Sequence, residues 1–131
     1  MIKPEQIIDH VCKVLELDKN LLIAEERTTC PHCECKMRAK VNSTPKYVDA
    51  RQIICYLIRF HSPYDSSEWY KGEYSYKAIA KALGRTLANG KGDHAFAMYS
   101  ESNCRDLLSS KDKVFTEKFL KCELPKNKKV A

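Results

Sequence analysis

No run of about 18 apolar residues occurs anywhere in the 131-residue chain, which leaves no candidate for a helix that crosses a bilayer. The opening Met-Ile-Lys-Pro-Glu also lacks the apolar core of an export signal, so the expectation is a soluble, cytoplasmic protein with no membrane partner. Internal repeats, a heptad seam and low-complexity tracts are absent, which removes solenoids and coiled coils from consideration. No Ser-His-Asp set and no paired carboxylates at helical spacing stand out, and the expectation is a protein that is not an enzyme. Glycine is scarce, with four residues in all, yet Gly84, Gly90 and Gly92 stand close together.

The cysteines are more numerous and equally constraining. Of seven, only Cys30-Pro-His-Cys33-Glu-Cys35 forms a dense cluster. A Cys-x-x-Cys pair is half of a tetrahedral zinc site, and the second pair is missing. Zinc at Cys30, Cys33 and Cys35 would need a fourth ligand from His32, from a distant residue or from a second chain, so no metal or other cofactor is assigned and structural zinc stays an alternative. The tetrapeptide Cys-Pro-His-Cys also occurs in thioredoxin-like oxidants, but the βαβ context of that chemistry is absent. Cys12, Cys55 and Cys104 lie on apolar helical faces and read as core thiols of a reducing compartment. An odd count argues against a complete disulfide framework.

What is present suits one helical domain spanning residues 1–131. The hydrophobic share of 44% is enough to close a single core at this length. A net charge of +6 favours a polyanionic partner. Pro4 fits the first turn of a helix to about Leu15, with Ile7, Ile8, Val11, Cys12 and Leu15 inward. Asp18 caps a short helix through Leu22. Residues 28–45, rich in Thr, Pro, Cys and Asn, read as an inserted loop. Tyr47 to His61 is the core helix, with Ala50, Ile53, Ile54, Leu57, Ile58 and His61 on one stripe. Residues 62–73 form a second insertion, helices follow at about 75–83, 93–109 and 111–121, and a basic tail at about 122–131 ends the chain. That tail reads as a solvated end more readily than as a phosphate contact.

The region 74–99 carries the functional reading. Tyr76, Ile79, Ala80 and Leu83 recur at i, i+3, i+4 and i+7, which places them on one face and turns Lys77 and Lys81 outward. Gly84 stands where a helix end favours a left-handed residue. Gly90 and Gly92 let the chain turn before Asp93 caps a second helix through His94-Ala-Phe-Ala-Met-Tyr99. Two short helices joined by a bend make a helix-turn-helix, whose second helix enters the major groove by its N-terminal residues. The stretch Gly84 to Gly92 also has a P-loop look, but five residues separate its first glycines where four are needed, and Gly92 stands where Ser or Thr should hold magnesium. No nucleotide partner is expected.

Three runs, RQIICYLIRF at 51–60, YSYKAIAKALG at 74–84 and GKGDHAFAMYS at 90–100, together with IIDHVCKVLELDKNLLI and Arg27-Thr28, make the chain resemble the C-terminal DNA-binding domain of the bacterial replication initiator DnaA over most of residues 4–110. The family shows an Arg-Gln-opened helix, a Ser-Leu-x-x-Ile-Gly-x-x-Phe-Gly helix and a Gly-Gly-Arg-Asp-His-Thr-Thr-Val signature. The resemblance implies an all-α, compact multi-helix domain with a helix-turn-helix of the DnaA C-terminal, Trp-repressor-like type. It implies double-stranded DNA as partner, with Arg51 in the minor groove and Asp93, His94, Ala95 and Met98 toward the major groove; Ser75, Lys77 and Lys91 are the expected phosphate contacts. The family's ATPase module has no counterpart here, so DNA binding without an ATPase is implied, in origin recognition or transcriptional regulation. Gly92, Ala95 and Phe96 replace the signature's Arg and two Thr, which alters base preference, and the turn is about six residues longer than the family's. The alternative is a protein-interaction module on the same helical scaffold, including a zinc-organised adaptor around residues 30–35.

Overall fold

The computed structural model describes residues 3–23, 45–63, 72–87 and 89–123. Residues 28–44 of the expected loop at 28–45, with its cysteine cluster, most of the 62–73 insertion and residues 124–131 of the tail lie outside the described residues, and Pro45, expected to close that loop, opens a helix instead. Six helices occur among the described residues: α1 Pro4–Val14, α2 Lys19–Ile23, α3 Pro45–Phe60, α4 Tyr76–Ala82, α5 His94–Ser109 and α6 Lys113–Cys122. A 3-10 turn, Gly72–Tyr74, leads into α4, and no strand is present among the described residues. The protein is mainly helical, and none of its described helices is long and apolar enough to cross a membrane.

Local chemistry fixes most of the boundaries. Pro4 opens α1 where its missing N–H costs nothing, and Lys3 N donates to Gln6 Oε1 at 2.9 Å. The side chains of Ile7, Ile8, Val11 and Cys12 then enter the core at the 3.6-residue period. Asp18 Oδ1 accepts from Asn20 N at 2.8 Å to start α2, as its side chain predicted. Asp112 Oδ1 accepts from Phe115 N at 2.9 Å, so α6 starts two residues later than the pattern suggested. Lys111 precedes that cap with φ +59, a left-handed residue that breaks α5 from α6.

The core helix α3 buries Tyr47, Ala50, Ile53, Ile54, Cys55, Leu57 and Ile58. It packs against α5 along much of its length and meets α1 and α6 on other faces. His61, expected on the same stripe, lies just past the helix end with its ring edge-on to Phe60 at 5.2 Å. Cys12, Cys55, Cys104 and Cys122 are free thiols buried in the core. Burial pushes all four thiols up, Cys104 to about 12 and Cys122 to about 11, so each stays protonated and unreactive.

One buried cation departs from the expectation. Arg51, expected in a DNA minor groove, is only 3% exposed. Its Nε and Nη2 donate to the Leu22 carbonyl at 3.1 and 3.0 Å. That oxygen belongs to the last turn of α2, where carbonyls have no intrahelical partner. The guanidinium is therefore directed into the fold, joining α3 to α2, and its two bonds satisfy a carbonyl that would otherwise be buried unpaired.

Arg51→Met should lower unfolding stability by about 2–3 kcal/mol in urea titration, the loss of charge-assisted bonds to a buried acceptor. In thiol labelling of the native protein followed by peptide mapping, Cys12, Cys55, Cys104 and Cys122 should remain unlabelled until denaturant is added.

Candidate nucleic-acid interface

Helix α4 begins with a cap and ends with a sharp reversal. Ser75 Oγ accepts from Ala78 N at 3.2 Å and caps the helix, and burial of the residue, not the cap bond, withdraws it from a phosphate at the surface. At the other end Gly84 has φ +74, Gly84 N donates to Lys81 O at 3.1 Å and Arg85 N to Ala80 O at 2.8 Å. This is the Schellman arrangement. Gly84 also backs directly onto the Ile23 carbonyl, where a β-carbon would collide with the oxygen. The glycine is required twice, for conformation and for contact.

The extra residues of the turn form a hairpin. Thr86 and Gly92 pair as an antiparallel bridge, Leu87 N donates to Lys91 O at 2.8 Å and Asp93 N to Arg85 O at 3.0 Å. At the tip, Gly90 N donates to Leu87 O at 2.9 Å and Lys91 N to Asn89 Oδ1 at 2.9 Å. Gly92 then presses against the backbone of α4, because a β-carbon there would overlap the Lys77 carbonyl. A longer side chain before Asp93, such as the arginine of the DnaA signature, would have no room in this packing.

Helix α5 starts at the foot of that hairpin. Asp93 Oδ1 accepts from Phe96 N at 3.2 Å and caps the helix, which was the simpler of its two expected roles. His94 is half-buried, with its ring edge-on to Tyr76 at 5.3 Å. Ala95 is exposed, and so are Met98 at 37% and Tyr99 at 62%. Lys77 on α4 and Lys91 on the hairpin are also exposed. The structure thus brings Lys77, Lys91, Asp93, His94, Ala95 and Met98 into one α4–hairpin–α5 unit, and leaves Arg51 and Ser75 inside the fold.

A polar knot holds this unit to α3. Tyr76 Oη donates to Glu101 Oε1 at 2.6 Å, Arg59 Nη1 donates to Tyr74 O at 3.0 Å, and the Arg59 guanidinium lies over the Tyr76 ring at 4.7 Å. Arg105 adds an i,i+4 contact to Glu101 at 3.6 Å. Burial and then the Glu101 carboxylate push the Tyr76 phenol up, which keeps it a hydrogen-bond donor. Glu101 is consequently engaged from several sides, and Lys77, Lys81 and Lys91 have no carboxylate paired with them among the described residues.

Sequence reasoning missed Tyr99 and Asn103. Both follow Ala95 at i+4 steps on the outward face of α5, so the helical period could have singled them out. Arg85, inside the lengthened turn, has its guanidinium over the Phe96 ring at 4.8 Å. Among the described residues no group of three or more His, Cys, Asp or Glu is placed to hold a metal; the Cys30–Cys35 cluster lies outside them.

No protein-family model matches the chain, and no curated protein or solved structure matches it.

Gly92→Ala should destabilise the protein by about 3 kcal/mol in urea unfolding, as overpacking against backbone has no side chain to yield. A loss under about 0.5 kcal/mol would mean that the hairpin does not dock on α4 as described.

Proposed function

We propose that this protein binds double-stranded DNA through α4 and α5 as a helix-turn-helix of the DnaA C-terminal, Trp-repressor-like type, with α5 as the reading helix. The observation that carries the proposal is the exposed face of Ala95, Met98 and Tyr99 at the start of α5, pinned against α4 by Gly92 and flanked by Lys77, Lys81 and Lys91, which have no paired carboxylate among the described residues. Unpaired cations beside a protruding helix end suit a phosphate backbone, whose neutralisation releases counterions. Major-groove reading falls to His94, which can donate to purine N7 or O6, and to Met98, which suits a thymine methyl. Ala95 leaves space for a close approach, and the second oxygen of Asp93 can accept from cytosine N4. Lys77 and Lys91 contact phosphates, whereas Arg51 and Ser75 serve the fold. Use at a replication origin or at a regulated promoter is consistent with this chemistry, and neither requires an ATPase or other catalytic activity in the chain.

A second reading, a protein-interaction module on the same scaffold, is favoured by apolar exposure in the same unit: Leu87 is 46% exposed and adjoins the hairpin tip, and Met98 and Tyr99 also face solvent.

Fluorescence anisotropy of a randomised duplex pool, with bound DNA recovered and sequenced, separates the two. The expected outcome is enrichment of one motif with affinity falling by roughly 0.9 log units per log unit of salt for each phosphate contact. His94→Ala should weaken the enriched site by about 1–3 kcal/mol and leave non-specific binding nearly intact. Lys77→Ala and Lys91→Ala should each weaken all sequences alike and reduce the salt slope by about one. Absence of binding at low salt would transfer the assignment to the interaction module.

A further inference from the structure

A cleft of about 450 Å³ opens between α3 and the first turns of α5, lined by Val48 and Gln52 on one side, Ala95, Tyr99 and Asn103 on the other, and Arg85 from the hairpin. Its wall is unusual in charge. The Arg85 guanidinium sits over the Phe96 ring, 4.8 Å from its centroid, a cation–π contact that restrains the side chain at the cleft wall. Among the described residues no carboxylate pairs with Arg85. The buried guanidinium of Arg51 borders the same cleft, close enough to Arg85 for like-charge repulsion, second to burial, to lower its proton affinity. Against these two cations stands Asp93, one of whose oxygens already caps α5. Gln52, in the opposite wall, has a buried side-chain oxygen with no hydrogen-bond partner among the described residues, a polar group that the fold itself does not satisfy.

The Arg85 backbone is tied down at both ends, by Arg85 N on Ala80 O and by Asp93 N on Arg85 O. A planar fork held by its backbone and by an aromatic ring is preorganised for bidentate recognition of a tetrahedral oxyanion. We propose that the α3–α5 cleft is a phosphate-group seat centred on Arg85, with Gln52 and Asn103 as its polar side walls. The phosphate comes either from the backbone of bound duplex, since the cleft adjoins Ala95 at the start of the reading helix, or from a free phosphorylated molecule. Only the first source rests on the DNA-binding proposal.

The test uses the full chain labelled with 15N, titrated first with inorganic phosphate and then with the motif-bearing duplex, or a random duplex pool if none is enriched. Inorganic phosphate should shift the Arg85 Nε–H resonance and the amides of Ala95 and Asn103 along a saturating curve, and Arg85→Gln should abolish the curve while the remaining spectrum keeps its dispersion. Arg85→Lys, which retains charge without the stacked fork, should bind phosphate more weakly than the wild-type chain. Linear, unsaturated shifts spread over the surface lysines, or a saturating curve unchanged in Arg85→Gln, overturn the seat. For the DNA source, Arg85→Gln should weaken duplex binding by about tenfold and lower the salt slope by about one. Duplex binding unaffected by Arg85→Gln overturns that source and leaves the DNA-binding proposal intact. Saturable, Arg85-dependent phosphate binding without any duplex binding supports the seat with a free ligand and defeats the DNA-binding proposal instead.

Discussion

The bond from Arg51 to the Leu22 carbonyl sets the position of nearly everything that follows it in space. Helix α2 has only five residues, too few to hold a helical conformation by its own hydrogen bonds. It stays in place because Leu22 is buried, because Tyr47 Oη accepts from Asp18 N at 3.3 Å, and because Arg51 anchors its last turn to α3. The next carbonyl along, that of Ile23, is the surface on which Gly84 rests. The corner that ends α4 therefore takes its position from α2, and α2 takes its own from a cation in the core helix. Taking an arginine out of water is expensive, and the expense is offset here because its donors meet an acceptor that would otherwise be orphaned.

The same economy of partners shapes the surface. Two acidic side chains tie elements together: Glu101 binds Tyr76 and faces Arg59 and Arg105, and Asp49 on α3 holds Lys118 on α6 at 2.9 Å. The exposed Asp9–Lys19 pair at 2.7 Å adds little, as solvent and salt screen it. Among the described residues Lys77, Lys81 and Lys91 have no carboxylate paired with them, which leaves positive charge beside the start of α5.

Much of the helical layout was legible in the sequence because caps and periodic apolar positions act locally. Asp18, Ser75, Asp93 and Asp112 each accept from a backbone N–H at a helix start, and three of the four marked an expected helix or its edge. What escaped were relations set by distant residues. Nothing local distinguishes Arg51 from an exposed arginine, since its burial depends on a carbonyl 29 residues away. Gly92 looked like a turn residue, and its closer role, contact with the Lys77 backbone, comes only from docking. Likewise the longer turn was visible as length but not as a hairpin, because a single bridge between Thr86 and Gly92 leaves no alternating pattern to read.

That hairpin separates two jobs which a tight turn must do together. Its base is clamped, by Gly84 on Ile23, by Gly92 on Lys77 and by the pairing of Arg85 with Asp93, while Leu87, Asn89, Gly90 and Lys91 stand in solvent beyond the clamp. Residues at the tip are thus free to diverge in length and chemistry without changing the crossing of α4 and α5. The architecture is a variable finger on a rigid knuckle, in which a change at the finger leaves the core untouched.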